Sequence, residues 1–93
     1  MFSLTSTLLR LDPPAPNPAT DIATLRFGIP FASIVALELL DDHGRIAHTI
    51  IDGPMMEGEY AIDMPTSELS SGVYHVRLRM GDAVRRERVV VVK

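Results

Sequence analysis

The residues whose types could do chemistry are scattered along this chain. Three histidines, His43, His48 and His75, fall on a turn, on a strand and on the outward face of a later strand. None shares a helical or strand spacing with a carboxylate that would suggest a metal centre or an acid/base pair. Asp41, Asp42 and Asp52, or Glu57 with Glu59, could in principle hold calcium together with loop carbonyls. The Asp-x-Asp-x-Asp-Gly ladder of a calcium loop is missing, and solvated turn carboxylates are the simpler reading. Ser67, Ser70 and Ser71 sit outside any Gly-x-Ser-x-Gly elbow, and no glycine-rich phosphate loop occurs. The chain is therefore expected to have no catalytic residue, no metal and no cofactor.

Charge carries more information. The net charge is −3, but residues 1–72 hold three basic side chains against ten acidic ones, whereas residues 73–93 hold six basic (Arg77, Arg79, Arg85, Arg86, Arg88, Lys93) against Asp82 and Glu87. A segment of +4 thus follows one of −7, an asymmetry that suits contact with an anionic partner as well as it suits a solvated arginine-rich hairpin. No aromatic residue interleaves with the arginines, so stacked bases would have no platform, and nucleic acid is not an expected partner. Met55-Met56 reads as an apolar pair in a loop, for ordinary packing or for a partner contact.

The elements that position these groups are strands. Ala23, Leu25, Phe27 and Ile29 alternate with Thr24, Arg26 and Gly28; Val35, Leu37 and Leu39 alternate with Ala36 and Glu38. Asp41-Asp42-His43-Gly44 makes a turn into a strand over 45–51, whose register is ambiguous because Ile50 and Ile51 cannot both face one side of a regular strand. Gly53-Pro54 is expected to break the next connection, residues 59–64 form a short strand, and residues 65–72 form a corner. Tyr74, Val76, Leu78 and Met80 then alternate with His75, Arg77 and Arg79, so the apolar set faces in and the basic set out. A Gly81-Asp82 reversal leads to the last strand, Arg88 to Lys93.

Six or seven short strands at this spacing, with no convincing helix, predict an all-β fold, an immunoglobulin-like antiparallel β-sandwich of about seven short strands. Ninety-three residues make a single domain that buries somewhat more than about 60% of its unfolded surface. Aromatics are only 5% and tryptophan is absent, so valine, isoleucine, leucine and methionine must fill the core. Without cysteine, neither disulfides nor thiolate metal sites contribute. No apolar run reaches membrane-spanning length, and membrane insertion is not expected. Residues 1–7 lack the basic start and apolar stretch of a secretory signal and read as strand or linker; a signal, if used, would lie on a larger precursor. Pro13-Pro14-Ala15-Pro16-Asn17-Pro18 is a stiff extended entry to the first clear strand.

In these residues the chain resembles a family. Pro16, Asn17 and Pro18, with the Leu25-Arg26-Phe27 strand and Ile29-Pro30, resemble the Pro-Asn-Pro opening of C-terminal sorting domains of the type IX (Por) secretion system, type A. Asp41 through Gly44 and Arg45 resemble its Asp-x-x-Gly-Arg turn. Leu69-Ser70-Ser71-Gly72-Val73-Tyr74 resembles its Leu-x-x-Gly-x-Tyr motif, and Arg88 to Lys93 its terminal basic-hydrophobic-lysine motif. Ala15 and Ala19 replace the aromatic residues that often flank Pro-Asn-Pro, and Arg88 stands where lysine is common. Related immunoglobulin-like modules occur in flagellar hook-capping proteins, so fold alone does not decide function.

The resemblance implies a non-catalytic secretion signal that directs a cargo through the periplasm and across the outer membrane of Bacteroidetes-type bacteria. The cargo would be released or attached to the cell surface. The implied partners are the outer-membrane translocon and its shuttle proteins, a sortase-like peptidase and an N-terminal cargo domain. Residues 1–15 are expected to be a linker or the end of a preceding region, and residues 16–93 the sorting domain. Gly72 is expected to permit the turn, Tyr74 to anchor the strand beside Val73, and Arg86, Arg88 and Lys93 to supply cationic contacts at the functional end. Removing the last several residues, or reversing charge at Arg88 and Lys93, is expected to leave a fused reporter folded but trapped. A passive stalk or carbohydrate-binding module of a secreted enzyme is the alternative, although Tyr60 and Tyr74 are a poor glycan platform; a self-assembling domain pairing edge strands such as 89–92 is a further one.

Overall fold

A computed structural model describes residues 8–93. Residues 1–7, read as strand or linker, lie outside the described residues. Seven strands follow in order: β1 (Arg10–Leu11), β2 (Ile22–Ile29), β3 (Ser33–Leu40), β4 (Ile46–Met55), β5 (Gly58–Pro65), β6 (Gly72–Met80) and β7 (Ala83–Val91). They form two antiparallel sheets, β1-β2-β5 and β4-β3-β6-β7, which is the predicted all-β, immunoglobulin-like sandwich. The β3–β4 and β6–β7 pairs are hairpins within one sheet, β1 and β2 are neighbours in the other, and the β2–β3, β4–β5 and β5–β6 connections cross between sheets.

Period-two patterning explains the core. Ala23, Leu25, Phe27 and Ile29 of β2, Val35, Leu37 and Leu39 of β3, Tyr74, Val76, Leu78 and Met80 of β6, and Val89 and Val91 of β7 are all buried in one cluster. With no tryptophan, the largest core contact between aromatics is Phe27 on Tyr60, paired across β2 and β5 with ring centroids 5.4 Å apart and planes 13° apart. Burying a Leu, Val or Phe side chain contributes about 1.5–3 kcal/mol, so these faces supply the main driving force for folding.

Two expectations for the middle of the chain are corrected. Gly53-Pro54 does not break the chain there: β4 runs on through Pro54 to Met55, with Ile34 opposite Pro54. Pro lacks an N–H, and β4 tolerates it because it is an edge strand, paired only with β3. The conflict between Ile50 and Ile51 is resolved by a bulge. Leu37 pairs with Ile51 but Glu38 with Thr49, so Ile50 is an inserted residue and both isoleucines pack against the core.

The packing also begins before residue 16. β1 pairs with Phe27 and Gly28 of β2, Leu9 and Leu11 are buried in the core, and Arg85 Nε donates to the Leu9 carbonyl at 3.1 Å, tying this first segment to β7.

Candidate functional site

Three of the four sequence motifs meet at one end of the sandwich. The chain first follows β2, where Ala15 exchanges backbone hydrogen bonds with Thr24. It then crosses to the other sheet: Ala19 N donates to Val90 O at 2.7 Å, and Val92 N donates to Ala19 O at 2.9 Å. The crossing residues are Pro16, Asn17 and Pro18. The prolines have no N–H to donate, and the Asn17 side chain substitutes for a backbone partner. Its Nδ2 donates to Arg88 O at 3.1 Å and its Oδ1 accepts from Val90 N at 2.9 Å, so the amide occupies the outer edge of β7 as a neighbouring strand would.

Lys93 closes the same end. Its ammonium donates to the carbonyl oxygens of Thr66 and, at 3.3 Å, of Thr20, and its backbone N donates to Ser71 Oγ at 2.9 Å. Thr66 and Ser71 belong to the corner between β5 and β6, which Tyr74 secures: its hydroxyl donates to Ser70 O at 2.8 Å. A tyrosine early in this strand, bonded to the backbone a few residues upstream, is the tyrosine corner of immunoglobulin-like folds. Gly72 starts β6, exposed, and its φ is not positive. A Cβ there would meet only Tyr74, at 3.9 Å. The expected role of Gly72 in permitting the turn is thus not a backbone requirement.

The Asp-x-x-Gly-Arg turn is held by one carboxylate. Asp41 Oδ1 accepts from His43 N and Arg45 N, both at 2.9 Å, and Oδ2 accepts from Arg45 Nε at 3.0 Å. Those bonds, led by the Arg45 backbone N–H, pull the Asp41 carboxyl below its ordinary range. Gly44, at φ 82°, takes the left-handed position that ends a three-residue hairpin loop. Asp41, Asp42 and His43 are close enough to share a cation, with His43 Nδ1 3.0 Å from Asp42 Oδ1, but the Asp41 oxygens already bind the turn.

The outer face of the four-stranded sheet is where the charge asymmetry becomes spatial. In register across it stand Glu38, Arg77 and Arg86 in one row, and Leu40, His75 and Arg88 in the next, followed by Val73 beside Val90. Arg77 Nη2 lies 2.7 Å from Glu38 Oε1, and Arg79 Nε 3.4 Å from the same oxygen. The Arg77 hydrogen bond holds the Glu38 carboxyl below its usual range, against the opposing effect of burial. Among the described residues Arg86 and Arg88 have no ion-pair partner and are exposed. On the opposite sheet, Arg10 pairs with Glu59 and with Asp12 at 2.8 Å, which raises the Arg10 pKa and lowers that of Glu59.

Of the residues singled out in the sequence, the structure brings Pro16, Asn17, Pro18, Gly72, Tyr74 and Lys93 to the corner, and places Val73, Arg86 and Arg88 on the adjoining outer face. Tyr60 stacks on Phe27 and Tyr74 lies in the core, so the two tyrosines do not make a shared platform. Met55 packs against the core, while Met56 is exposed. Sequence reasoning missed Glu38 as the partner of the basic face. Its signal was a single carboxylate at an outward position of an apolar strand.

The two antiparallel sheets and the clamped terminal strand define the class of a small immunoglobulin-like β-sandwich domain. The family model described as the secretion system C-terminal sorting domain matches residues 15–92, and the chain belongs to that family. No curated protein and no solved structure gives a match. The domain is a signal for type IX secretion, interacts with the type IX machinery and directs export across the outer membrane to the cell surface or the extracellular space.

Proposed function

We propose that the secretion machinery reads this domain as a folded object, through the outer face of β6 and β7, and that the domain contributes no catalytic step. Val73, Arg86 and Arg88 are the contact residues in this reading. Gly72, Tyr74, Pro16, Asn17, Pro18 and Lys93 shape and hold the strands that present them, and Gly44 with Arg45 closes the neighbouring turn. The observation that carries the reading is the difference between the cations: Lys93 commits its ammonium to the Thr66 and Thr20 carbonyls, whereas Arg86 and Arg88 face solvent. The outer-membrane translocon and its shuttle proteins are the proposed readers. A cargo domain precedes, with the joint ahead of Leu9 because Leu9 and Leu11 support the core, and a sortase-like peptidase cuts in that joint.

The same observations change the choice of experiment. Deleting the last several residues would remove Val89 and Val91 from the core and Lys93 from the corner, so such a truncation unfolds the domain rather than silencing a tail. Charge reversal at Arg86 and Arg88 leaves both in place. The unaltered 93-residue chain, fused behind a reporter in a bacterium with this secretion system, should deliver the reporter outside the cell. With Arg86→Glu and Arg88→Glu together, the reporter should stay in the periplasm attached to a folded domain. Export at the unaltered level would rule out this face.

A further inference from the structure

We propose that Val73, His75, Arg86, Arg88 and Val90 form a docking surface for a carboxylate-bearing, partly apolar protein surface of the secretion machinery. The identity of the partner rests on the sorting reading above; the chemistry of the surface rests on the sheet register. Arg86 stands directly opposite Arg77, and like charges so placed repel. Glu38 relieves Arg77 at 2.7 Å, but it lies on β3, beyond Arg77, and leaves Arg86 uncompensated. Arg88 faces His75, which adds no negative charge. Among the described residues these two guanidinium groups therefore have no acidic partner on the face they share, a cost that a partner's carboxylates would offset.

Spacing selects the partner. Arg86 and Arg88 are two residues apart on one strand, about 7 Å along it, and point from a sheet rather than converging in a cradle. Separate carboxylates along a partner fit that arrangement, each with a bidentate guanidinium contact; a single phosphate would need the donors to converge. Val73, 38% exposed and paired with Val90, places an apolar step next to the charges, the mixture found at the core and rim of protein interfaces. The +4 of residues 73–93 against the −7 of residues 1–72 gives the strands that carry this face the sign that suits an acidic partner.

The test is a titration of the isotopically labelled 93-residue chain with a synthetic peptide of alternating glutamate and valine, followed by amide NMR. Resonances of residues 73–77 and 86–90 should shift. Binding should weaken as salt rises from about 0.1 M to about 1 M, where the Debye length falls from about 10 to about 3 Å. Arg86→Glu with Arg88→Glu should weaken it by about tenfold or more, while Arg86→Lys with Arg88→Lys should retain most of it. The reversed variant keeps the fold, because a carboxylate at position 86 would face Arg77 across the hairpin; a denaturation midpoint no lower than that of the unaltered chain checks this. No shift, or equal shifts in the reversed variant, overturns the proposal. So does a response to inorganic phosphate or lipopolysaccharide with none to the peptide, which would assign the face to a phosphate-bearing surface. Self-association of the unaltered chain that the reversal abolishes would overturn it too, by assigning the face to a second copy. Export of the reporter by the unaltered domain tests the sorting reading separately, so the two failures are distinguishable.

Discussion

Asn17 Oδ1 accepts the Val90 N–H at 2.9 Å, on the side of β7 that no strand of its own sheet occupies. The Nδ2 of the same amide donates to Arg88 O, two residues back along that edge. An edge strand rich in valine is a template for unwanted pairing, and here a side chain covers it. Pro-Asn-Pro is thus the lock on the strand that carries Arg86 and Arg88, although Asn17 and Arg88 are 71 residues apart in the chain.

Asn17→Ala should destabilise the domain by about 1 kcal/mol, the net worth of the paired hydrogen bonds lost at an exposed edge. Hydrogen exchange at Val90 should speed up more than at Val76 in the sandwich centre. An unchanged urea midpoint together with unchanged exchange at Val90 would contradict the clamp.

Thr66 Oγ1 is fully buried and has no hydrogen-bond partner among the described residues, although the Thr66 backbone carbonyl holds Lys93. Thr66→Val keeps the shape and removes the uncompensated hydroxyl. We expect a gain of about 1 kcal/mol, seen as a higher melting temperature. A loss of stability would show that the hydroxyl is satisfied in solution.

Glu38 links stability to acid. Its carboxyl sits below the ordinary value of 4.5 in the folded state because Arg77 donates to it, so the unfolded chain binds the proton more readily. The stabilisation is present above about 4.5 and is lost as pH falls through the lower, folded-state value. Glu38→Gln should therefore cost about 1–3 kcal/mol at neutral pH, with the difference from the unaltered chain disappearing in acid. Asp41 and Glu59 are shifted the same way, so part of the acid dependence should survive in this variant. Chemical denaturation from about pH 2 to about pH 7, a range that brackets ordinary carboxylates, checks the sign.

Gly72→Ala separates folding from recognition. With no positive φ and an added Cβ only 3.9 Å from the Tyr74 ring, the substitution should leave stability unchanged or raise it by about 0.4–1 kcal/mol through the unfolded chain. Lost export from such a folded variant would put Gly72 in the contact surface. Retained export would leave it a bystander of the corner.

Much of the architecture was legible because strand alternation is local. Tyr74, Val76, Leu78 and Met80 declare an inward face by their spacing alone, and their burial agrees. The bulge at Ile50 and the passage of β4 through Pro54 were not legible, since both depend on which neighbour a strand pairs with and on its being an edge. The candidate site divides the same way. Family motifs picked out Asn17, Tyr74, Arg88 and Lys93, but not what each one touches. Lys93 reads as a free cation until Thr66 and Thr20 are brought within reach of its ammonium.

The sequence by itself determined the two-sheet fold, the segregation of charge and membership of the sorting-domain family, because composition, period and motif order are properties of the chain read in line. Only the tertiary structure decided which charges are paired within the domain and which remain for a partner. Ion pairing and hydrogen bonding act over a few ångströms, and the partners of Asn17, Glu38 and Lys93 are separated from them by 71, 39 and 27 residues.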